Sequence, residues 1–406
     1  MNYLLNEGYE DKIKVSKGDK SKIIIGNKSY LDLSFCAGSL ILGHNSKIYK
    51  NSLKKIISSK ISNFAVPNIY AEKMSGLLNK TFPHYKKFIF CNSGSESVLK
   101  AIRIAKAVSN KDLIVSVSGS WHGSVDQFLF SSDKKFSPIP NSDGLSNFYK
   151  KNLKIIPYND IEKSKKILGK IKNKISTIII EPIQACLPMK EAVKYLKFIE
   201  KFSKKNKIIL IYDEIITGVR TYEGSVQAKF NLKPSISIFG KCIGGGSPIG
   251  VIGLSNNILK KIKKRKKKIY FGGTFSGNSM STFIGYNTLK YINQNKKIII
   301  KINKKANYIK TEINKFILEN NIQAKIYFFE SMLRIVFTKY NVMNRYQRDF
   351  FERKKLKNVL KFKKFVFKNR IYYPSNGIIF ISNETTEKDC KLIIKIFKKG
   401  LEKFFK

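Results

Sequence analysis

Short apolar runs alternate with longer amphipathic stretches between about residues 86 and 290. Each run is nearly continuous, rich in β-branched residues, and ends in polar or glycine residues: "KFIFCNSGS", "DLIVSVSGSWHG", "ISTIIIEPI", "KIILIYDEIITG" and "SISIFGKCIGGG". After the first run, apolar residues recur at the helical period at Val98, Ile102, Ala105 and Val108. Strands that are apolar on both faces and separated by helices indicate a mostly parallel sheet covered on both sides. The pattern therefore predicts an α/β fold.

The two ends of the chain have a different pattern. Residues 290–406 combine helical stretches with short alternating strands such as "AKIYFFESMLRIVF" and "NGIIFISN", and the first 45 residues contain the β-like segment "KIIIGNKSYLDLSF". We predict an N-terminal segment (1–45), a large domain (46–288) and a smaller C-terminal α+β domain (289–406) that packs with the N-terminal segment. We also expect a long connecting helix that begins near Gly285.

The formal net charge of +50 comes from 78 Lys and Arg against 28 Asp and Glu. Such an excess is typical of proteins that bind polyanions, so a basic nucleic-acid-binding protein is one alternative. The lysines are, however, spread along the whole chain beside Ile and Asn, and even the densest block, "LKKIKKRKKKIYF" at 259–271, is typical of a solvated face. We favour a compositional origin and do not expect a nucleic-acid partner.

Cysteine and histidine are sparse and scattered. The five cysteines form no C-x-x-C pair and the three histidines are widely separated, so neither a disulfide framework nor a metal site is expected. The first residues lack the pattern of a signal peptide, and no apolar stretch approaches the roughly 20 residues that a membrane span needs. We expect a cytoplasmic protein outside the membrane.

Polar groups at the strand ends are the candidates for chemistry, because open α/β sheets bind ligands beyond the carboxyl ends of their strands. Ser93, Gly94 and Ser95 lie between a strand and a helix, where backbone N–H groups and two hydroxyls suit a phosphate; ordinary turn and cap residues look the same. Trp121, followed by His122, would stack on a flat ligand or close the core.

Asp213 and Lys241 end two later apolar runs. A carboxylate at a buried strand end requires a cation, either a protonated ring nitrogen or an internal lysine or arginine. Lys241 stands between an apolar run and three glycines, where desolvation lowers the pKa of an amine and makes it a nucleophile; a lysine reaching out to solvent is the alternative. Phosphate cup, aromatic stack, carboxylate and lysine together are what pyridoxal phosphate needs.

The chain resembles the class III aminotransferases of fold type I, and within them the glutamate-1-semialdehyde 2,1-aminomutases. The motifs that carry this resemblance are "GHN" (43–45), "CNSGSESVLKAIRIAKA" (91–107), "SWHG", "IIIEPI", "YDEIITGVR", "FGKCIGGGSPIG" and "GGTFSGN". It extends from about Gly26 to Leu289. The resemblance implies a large domain with a mostly parallel seven-stranded sheet, a smaller α+β domain, and pyridoxal 5'-phosphate as cofactor.

The same resemblance implies roles for individual residues. Lys241 would form the Schiff base and Asp213 would pair with the pyridine nitrogen. The remaining cofactor contacts would come from residues at the strand ends and from a neighbouring subunit, namely Ser93, Gly94, Ser95, Trp121, His122, Ile216 and Thr274. Thr274 would reach the phosphate of the neighbouring subunit, which implies a homodimer. Glu181, in the "EP" motif, would have a supporting role.

The substrate-facing segments depart from the aminomutase pattern. Ala185 and Cys186 stand where Gly-Asn is usual, Gly377 stands where an acid would fall, and residues 1–20 lack the expected arginine. We therefore predict an enzyme that transfers an amino group between an amino donor and an aldehyde or ketone acceptor. A genuine aminomutase that makes 5-aminolevulinate for tetrapyrrole biosynthesis is the alternative, and a cofactor-binding relative without activity is a third possibility.

Overall fold

The structure is a computed structural model that describes residues 13–406. The strands, in chain order, are β1 (Val15–Asp19), β2 (Lys22–Ile25), β3 (Lys28–Asp32), β4 (Tyr85–Cys91), β5 (Leu113–Val117), β6 (Phe130–Ser132), β7 (Pro138–Pro140), β8 (Leu153–Ile156), β9 (Ile175–Ile180), β10 (Ile209–Asp213), β11 (Ile236–Gly240), β12 (Gly250–Ser255), β13 (Lys325–Phe329), β14 (Met332–Val336), β15 (Ile371–Tyr372) and β16 (Ile378–Phe380).

The helices, in the same order, are α1 (Phe35–Gly38), α2 (Lys47–Ser58), α3 (Ile69–Thr81), α4 (Gly94–Ser109), α5 (Asn147–Lys151), α6 (Ile161–Ile171), α7 (Val193–Lys205), α8 (Val226–Lys229), α9 (Asn256–Lys263), α10 (Ser279–Gln294), α11 (Lys297–Glu319), α12 (Arg345–Arg353), α13 (Leu356–Lys368) and α14 (Glu387–Phe405). Short 3₁₀ helices lie at Asp126–Phe128, Lys172–Lys174, Lys190–Ala192 and Lys241–Gly244. Within residues 13–406, no helix combines the length and the apolar character that crossing a bilayer requires.

A seven-stranded sheet in the order β4-β12-β11-β10-β9-β5-β8 forms the centre of the molecule. Strands β11, β10, β9, β5 and β8 are parallel, whereas β12 runs antiparallel to both of its neighbours. The carboxyl ends of the parallel strands therefore meet at one edge, which is where Asp213 and Lys241 lie. The predicted α/β fold with a mostly parallel seven-stranded sheet is confirmed.

Every residue of β9, β10 and β11 is buried because both faces of the sheet are covered. In β10, Ile209 and Ile211 pack into one apolar core, whereas Leu210 and Tyr212 pack into the core on the other face. Alternate side chains of a strand point to opposite faces of the sheet. A strand that contributes to both apolar cores must therefore be a nearly continuous apolar run. These two cores fix the strand ends that carry the site.

Two smaller sheets lie outside the central sheet. One has the order β1-β2-β3-β15, in which β15 pairs in parallel with β3, and the other has the order β13-β14-β16. The N-terminal segment thus shares a sheet with the C-terminal part of the chain. The three-part division at residues 45 and 288 remains a prediction, and its second boundary falls inside α10. Residues 1–12 of the N-terminal segment lie outside the described residues.

We predicted that the connecting helix begins near Gly285, and this prediction is wrong. Helix α10 begins at Ser279, because the Asn278 side chain caps it by accepting a hydrogen bond from the Ser281 N–H at 2.8 Å. A second helix, α11, follows after Gln294. The lysine-rich block beside α9 lies largely in solvent, with residues 263–268 exposed, as the sequence indicated.

Candidate active site

Lys241 directly follows β11 and is partly buried. Its backbone has φ 48°, in the left-handed region, and its Nζ donates a hydrogen bond to the Ala37 carbonyl at 2.9 Å. Burial, and then the positive charge of Arg220, lower the pKa of the Lys241 ammonium group below its usual value. A lysine with a lowered pKa has more neutral amine available, which is the form that attacks a carbonyl carbon.

The carbonyl that faces Lys241 belongs to α1, a single turn in which all four residues, Phe35–Gly38, have positive φ. The Gly38 carbonyl accepts hydrogen bonds from Arg220 Nη2 and from Cys242 Sγ, the latter at 3.2 Å. A Cβ on Gly38 would lie 2.6 Å from the Phe380 ring, so the close approach requires glycine. The turn is thereby fixed to the segment that carries Lys241.

Arg220 is buried, 1% exposed, and bonds to neutral groups. Its Nε donates to the Ile216 carbonyl at 2.6 Å, its Nη1 donates to Ser331 Oγ at 3.0 Å, and its guanidinium lies over the Phe380 ring. Because these hydrogen-bond partners carry no charge, the positive charge of Arg220 favours the neutral form of the Lys241 amine. Arg220 ends the motif "YDEIITGVR", and its role was not predicted from the sequence.

Asp213 ends β10 and is 4% exposed. Its Oδ2 lies 2.8 Å from His122 Nδ1, and its Oδ1 accepts the Ile215 N–H at 3.2 Å. The partner of this carboxylate within the chain is thus a histidine, not the lysine or arginine expected from the sequence. His122 Nε2 is buried and, among the described residues, has no hydrogen-bond partner. A buried, oriented carboxylate of this kind suits a protonated ring nitrogen.

Two glutamates lie close to Asp213. Glu181 Oε1 accepts the Trp121 N–H at 2.7 Å; burial and then the charge of Asp213 raise its pKa to about 7. Glu214 accepts the N–H groups of Val226 at 2.8 Å and of Gln227 at 3.1 Å, and burial raises its pKa to about 7 as well. Glu181 therefore supports the loop of Trp121, and Glu214 anchors a neighbouring turn.

The beginning of α4 forms an anion cradle. Ser93 caps the helix by accepting the Glu96 N–H at 3.1 Å, and the Gly94 and Ser95 N–H groups lie in the first turn, where no preceding helical carbonyl can accept them. Ser95 Oγ accepts the Ser124 N–H at 3.0 Å. A Cβ on Gly94 would lie 2.5 Å from the Ile215 side chain, so the backbone must approach closely. This cradle fits a phosphate group.

The cradle depends on Gly123, which has φ +77°. The position that a Cβ of this residue would take is already occupied by the Ser95 side chain. We expect Gly123→Ala to displace Ser95 and to raise the dissociation constant of pyridoxal phosphate about tenfold or more. Equilibrium dialysis of the cofactor against the apoprotein measures this change. Gly144→Ala is the matched control, because Gly144 has φ +79° but nothing within 4 Å of its Cβ position. Equal weakening in both variants would contradict the role of Ser95.

The remaining predicted contacts are less enclosed. Trp121 is 60% exposed in the loop after β5, and Ile216 is partly buried and packs against the core under β10. Thr274 is exposed in the segment between α9 and α10. The structure brings Lys241, Asp213 and His122 to one sheet edge with α4, while the cofactor contacts assigned to Trp121, Ile216 and Thr274 remain predictions.

The comparisons with known proteins agree with this geometry. The sequence profile of the family "Aminotransferase class-III" matches residues 9–357. Glutamate-1-semialdehyde 2,1-aminomutase of Archaeoglobus fulgidus is 33% identical over 327 residues, covering 79% of this chain and 76% of that protein. The enzyme of the same name from Methanosphaera stadtmanae is 31% identical over 399 residues, covering 97% and 92%.

Solved structures show the same fold. An omega-transaminase from Sphaerobacter thermophilus superposes with a TM-score of 0.89 at 18% identity, covering 97% of this chain and 92% of that one. A glutamate-1-semialdehyde-aminomutase from Pseudomonas aeruginosa gives a TM-score of 0.85 at 16% identity, covering 97% and 88%. A transaminase with PLP bound gives 0.85 at 18% identity, covering 98% and 92%. The chain belongs to the class-III aminotransferases and is a pyridoxal phosphate-dependent enzyme.

Proposed function

We propose that this enzyme transfers an amino group between a small-molecule amino donor and an aldehyde or ketone acceptor, with Lys241 as the residue that binds the cofactor. One observation carries the proposal. A lysine with a lowered pKa and a buried Asp–His pair lie at the ends of two adjacent parallel strands, β11 and β10. The neutral amine suits a carbonyl carbon and the carboxylate suits a ring nitrogen, as pyridoxal phosphate presents them.

When bound, the cofactor supplies a carbonyl that receives the amino group and a ring that withdraws electrons from the substrate carbon. The Lys241 amine, once free, would take the proton from the substrate carbon and deliver it to the carbon that the cofactor's carbonyl contributes, as a general base and then a general acid. Asp213, oriented by His122, would hold the proton on the ring nitrogen. Ser93, Gly94 and Ser95 would bind the phosphate, and Trp121 and Ile216 would contact the two ring faces.

The homodimer belongs to the same proposal. Val66, Ile69, Phe275 and Met280 are 65%, 57%, 55% and 40% exposed, respectively. The Asn68 side chain donates a hydrogen bond to the Gly277 carbonyl at 2.9 Å, which brings the two segments of these apolar residues together. Exposed apolar side chains on two adjoining segments suit a subunit interface. Thr274 lies in the second segment and would reach the neighbouring site. We also propose a cytoplasmic location, which the five unpaired cysteines support.

A genuine glutamate-1-semialdehyde aminomutase is the second candidate, because relatives of that name cover most of this chain. The departures at Ala185, Cys186 and Gly377 favour a different substrate. The test supplies the pyridoxamine phosphate form of the enzyme with glutamate-1-semialdehyde and measures 5-aminolevulinate. We expect no 5-aminolevulinate. A panel of amines should, however, abolish the visible absorbance band of the pyridoxal phosphate form. Product formation would make the aminomutase the function, and a protein without the band would contradict both.

The family membership and the assembled site favour the enzyme over a basic nucleic-acid-binding protein, in which the same residues would be only turns and core. Neither the family membership nor the assembled site assigns the net charge of +50 a role in the reaction.

A further inference from the structure

Lys100, in the second turn of α4, is 4% exposed. It is the one lysine of residues 13–406 that is buried, whereas the others keep at least part of the side chain in solvent. An ammonium group loses its hydration when it is buried, so it is stable there only with charged or polar partners. The burial of Lys100 therefore indicates that its ammonium group holds specific partners in place.

Glu96 neutralises this lysine and connects it to the beginning of the helix. It lies four residues before Lys100, and its Oε1 accepts a hydrogen bond from Lys100 Nζ. Its Oε2 accepts the Asn92 N–H at 2.7 Å. Burial raises the pKa of Glu96, but the hydrogen bonds from Lys100 and Asn92 outweigh burial and hold this pKa below its usual value. The carboxylate is therefore charged and fixes the ammonium group at one point on α4.

The other partner of the ammonium group lies in the segment between α9 and α10. Lys100 Nζ donates a hydrogen bond to Ser276 Oγ at 3.3 Å. Ser276 closes a four-residue turn, because its N–H donates to the Gly273 carbonyl at 2.9 Å, and Thr274 is one of the two central residues. A Cβ on Gly273 would lie 3.3 Å from Glu96 Oε1 and 3.7 Å from Lys100 Nζ. The turn therefore rests directly on the buried ion pair.

The turn of residues 273–276 needs such a support. Residues 272–275 are exposed, so packing contributes little to the position of the turn. The Asn68 side chain donates to the Gly277 carbonyl at 2.9 Å, but this bond fixes the chain only after the turn has ended. A side chain that must reach a ligand precisely requires a second set of residues that holds it in place. Lys100 provides this support from a rigid helix.

We propose that Lys100 is a positioning residue for the neighbouring subunit: it holds the turn so that Thr274 reaches the cofactor phosphate of that subunit. This inference rests on the proposed homodimer and its cofactor. The first turn of α4 would bind the phosphate of its own subunit through Ser93–Ser95, whereas Lys100, one turn later, serves the other site. Because the ammonium group is buried, it acts through Thr274 and not by direct contact with the phosphate.

Lys100→Met keeps the length of the side chain and removes the ammonium group. We expect it to raise the dissociation constant of pyridoxal phosphate about tenfold, as measured by equilibrium dialysis. Ser276→Ala, which leaves the pair of Lys100 and Glu96 intact, should raise this constant about threefold. Lys106→Met is the matched control, because Lys106 also lies in α4 and pairs with an acid, Asp112, at 3.7 Å. The control should leave the dissociation constant unchanged.

Hybrid dimers show in which subunit Lys100 acts. In the first hybrid, a Lys100→Met subunit pairs with a Lys241→Ala subunit, so the covalent site lies in the former and receives Thr274 from a subunit that keeps Lys100. In the second hybrid, a wild-type subunit pairs with one that carries both substitutions, so its site receives Thr274 from a subunit without Lys100. Borohydride reduction and mass spectrometry at graded cofactor concentrations measure the covalent occupancy. We expect wild-type affinity in the first hybrid and about tenfold weaker binding in the second.

Weaker binding in the first hybrid, or equal affinity in the two, would overturn the inference, because Lys100 would then act within its own subunit or not on the cofactor. If the protein is a monomer that binds the cofactor at Lys241, the homodimer and this inference fail, and the amino-group transfer stands. If the wild type binds no cofactor, the proposed function itself fails and this inference fails with it.

A double-mutant cycle separates positioning from a general loss of stability. The Thr274→Ala variant that also carries Lys100→Met should bind the cofactor no more weakly than Thr274→Ala alone, because Lys100 has nothing left to position. Two substitutions that act independently would instead lower the affinity by the product of their separate effects. Such independent effects would contradict the proposed role of Lys100.

Discussion

Lys241→Ala is expected to lower the rate of amino-group transfer at least about a thousandfold, because it removes both the nucleophile and the proton carrier. The cradle at Ser93–Ser95 and the Asp213–His122 pair remain, so the variant should still bind pyridoxal phosphate, although without a covalent bond. Borohydride reduction followed by peptide mass spectrometry measures that bond. The wild type should retain the cofactor on the peptide that contains Lys241, and the variant should release it.

Lys305→Ala is the matched control for this experiment. Lys305 is a partly buried lysine that, like Lys241, donates to backbone carbonyls, at Asn383 and Thr385, but it lies in α11, away from the sheet edge. It should retain the covalent cofactor and the activity. Covalent cofactor on a lysine other than Lys241, or full activity in Lys241→Ala, would contradict the assignment.

The strand ends were predictable from the sequence because each is the point where a continuous apolar run stops. Two buried faces force β9, β10 and β11 to be mostly apolar and free of charge until they end, so the first charged residue at the end of β10 or directly after β11 lies at the edge. The positions of Lys241 and Asp213 at this edge were predicted in this way. The position of β12 was not, because an antiparallel strand inserted between β4 and β11 leaves no local pattern that differs from a parallel one.

The contacts that complete the site were not predictable, because they join distant parts of the chain. Lys241 and the Ala37 carbonyl are 204 residues apart, and Arg220 and the Gly38 carbonyl are 182 residues apart. The left-handed turn α1 has only one glycine among its four residues, so its sequence gives little sign of four successive positive φ values. The Asp213–His122 pair was likewise hidden by a separation of 91 residues.

Asp213→Asn is expected to slow amino-group transfer by about a hundredfold or more while leaving the cofactor bound. The amide has the shape of the carboxylate and can still accept the Ile215 N–H, but it carries no charge to hold a proton on the ring nitrogen. Because Lys241 and the α4 cradle are unchanged, the loss should appear in kcat and not in the cofactor dissociation constant. Steady-state kinetics with equilibrium dialysis of the cofactor separates the two quantities.

Asp389→Asn controls for the mere loss of a buried carboxylate. Asp389 is 8% exposed and accepts hydrogen bonds from Ser21 Oγ at 3.0 Å and from the Thr386 N–H at 2.9 Å, at the beginning of α14 and apart from the sheet edge. Its replacement should lower the stability of the fold and leave kcat unchanged. If both variants lose kcat alike, Asp213 acts only through folding. If only Asp213→Asn does so with the cofactor retained, its negative charge acts on the bound ring.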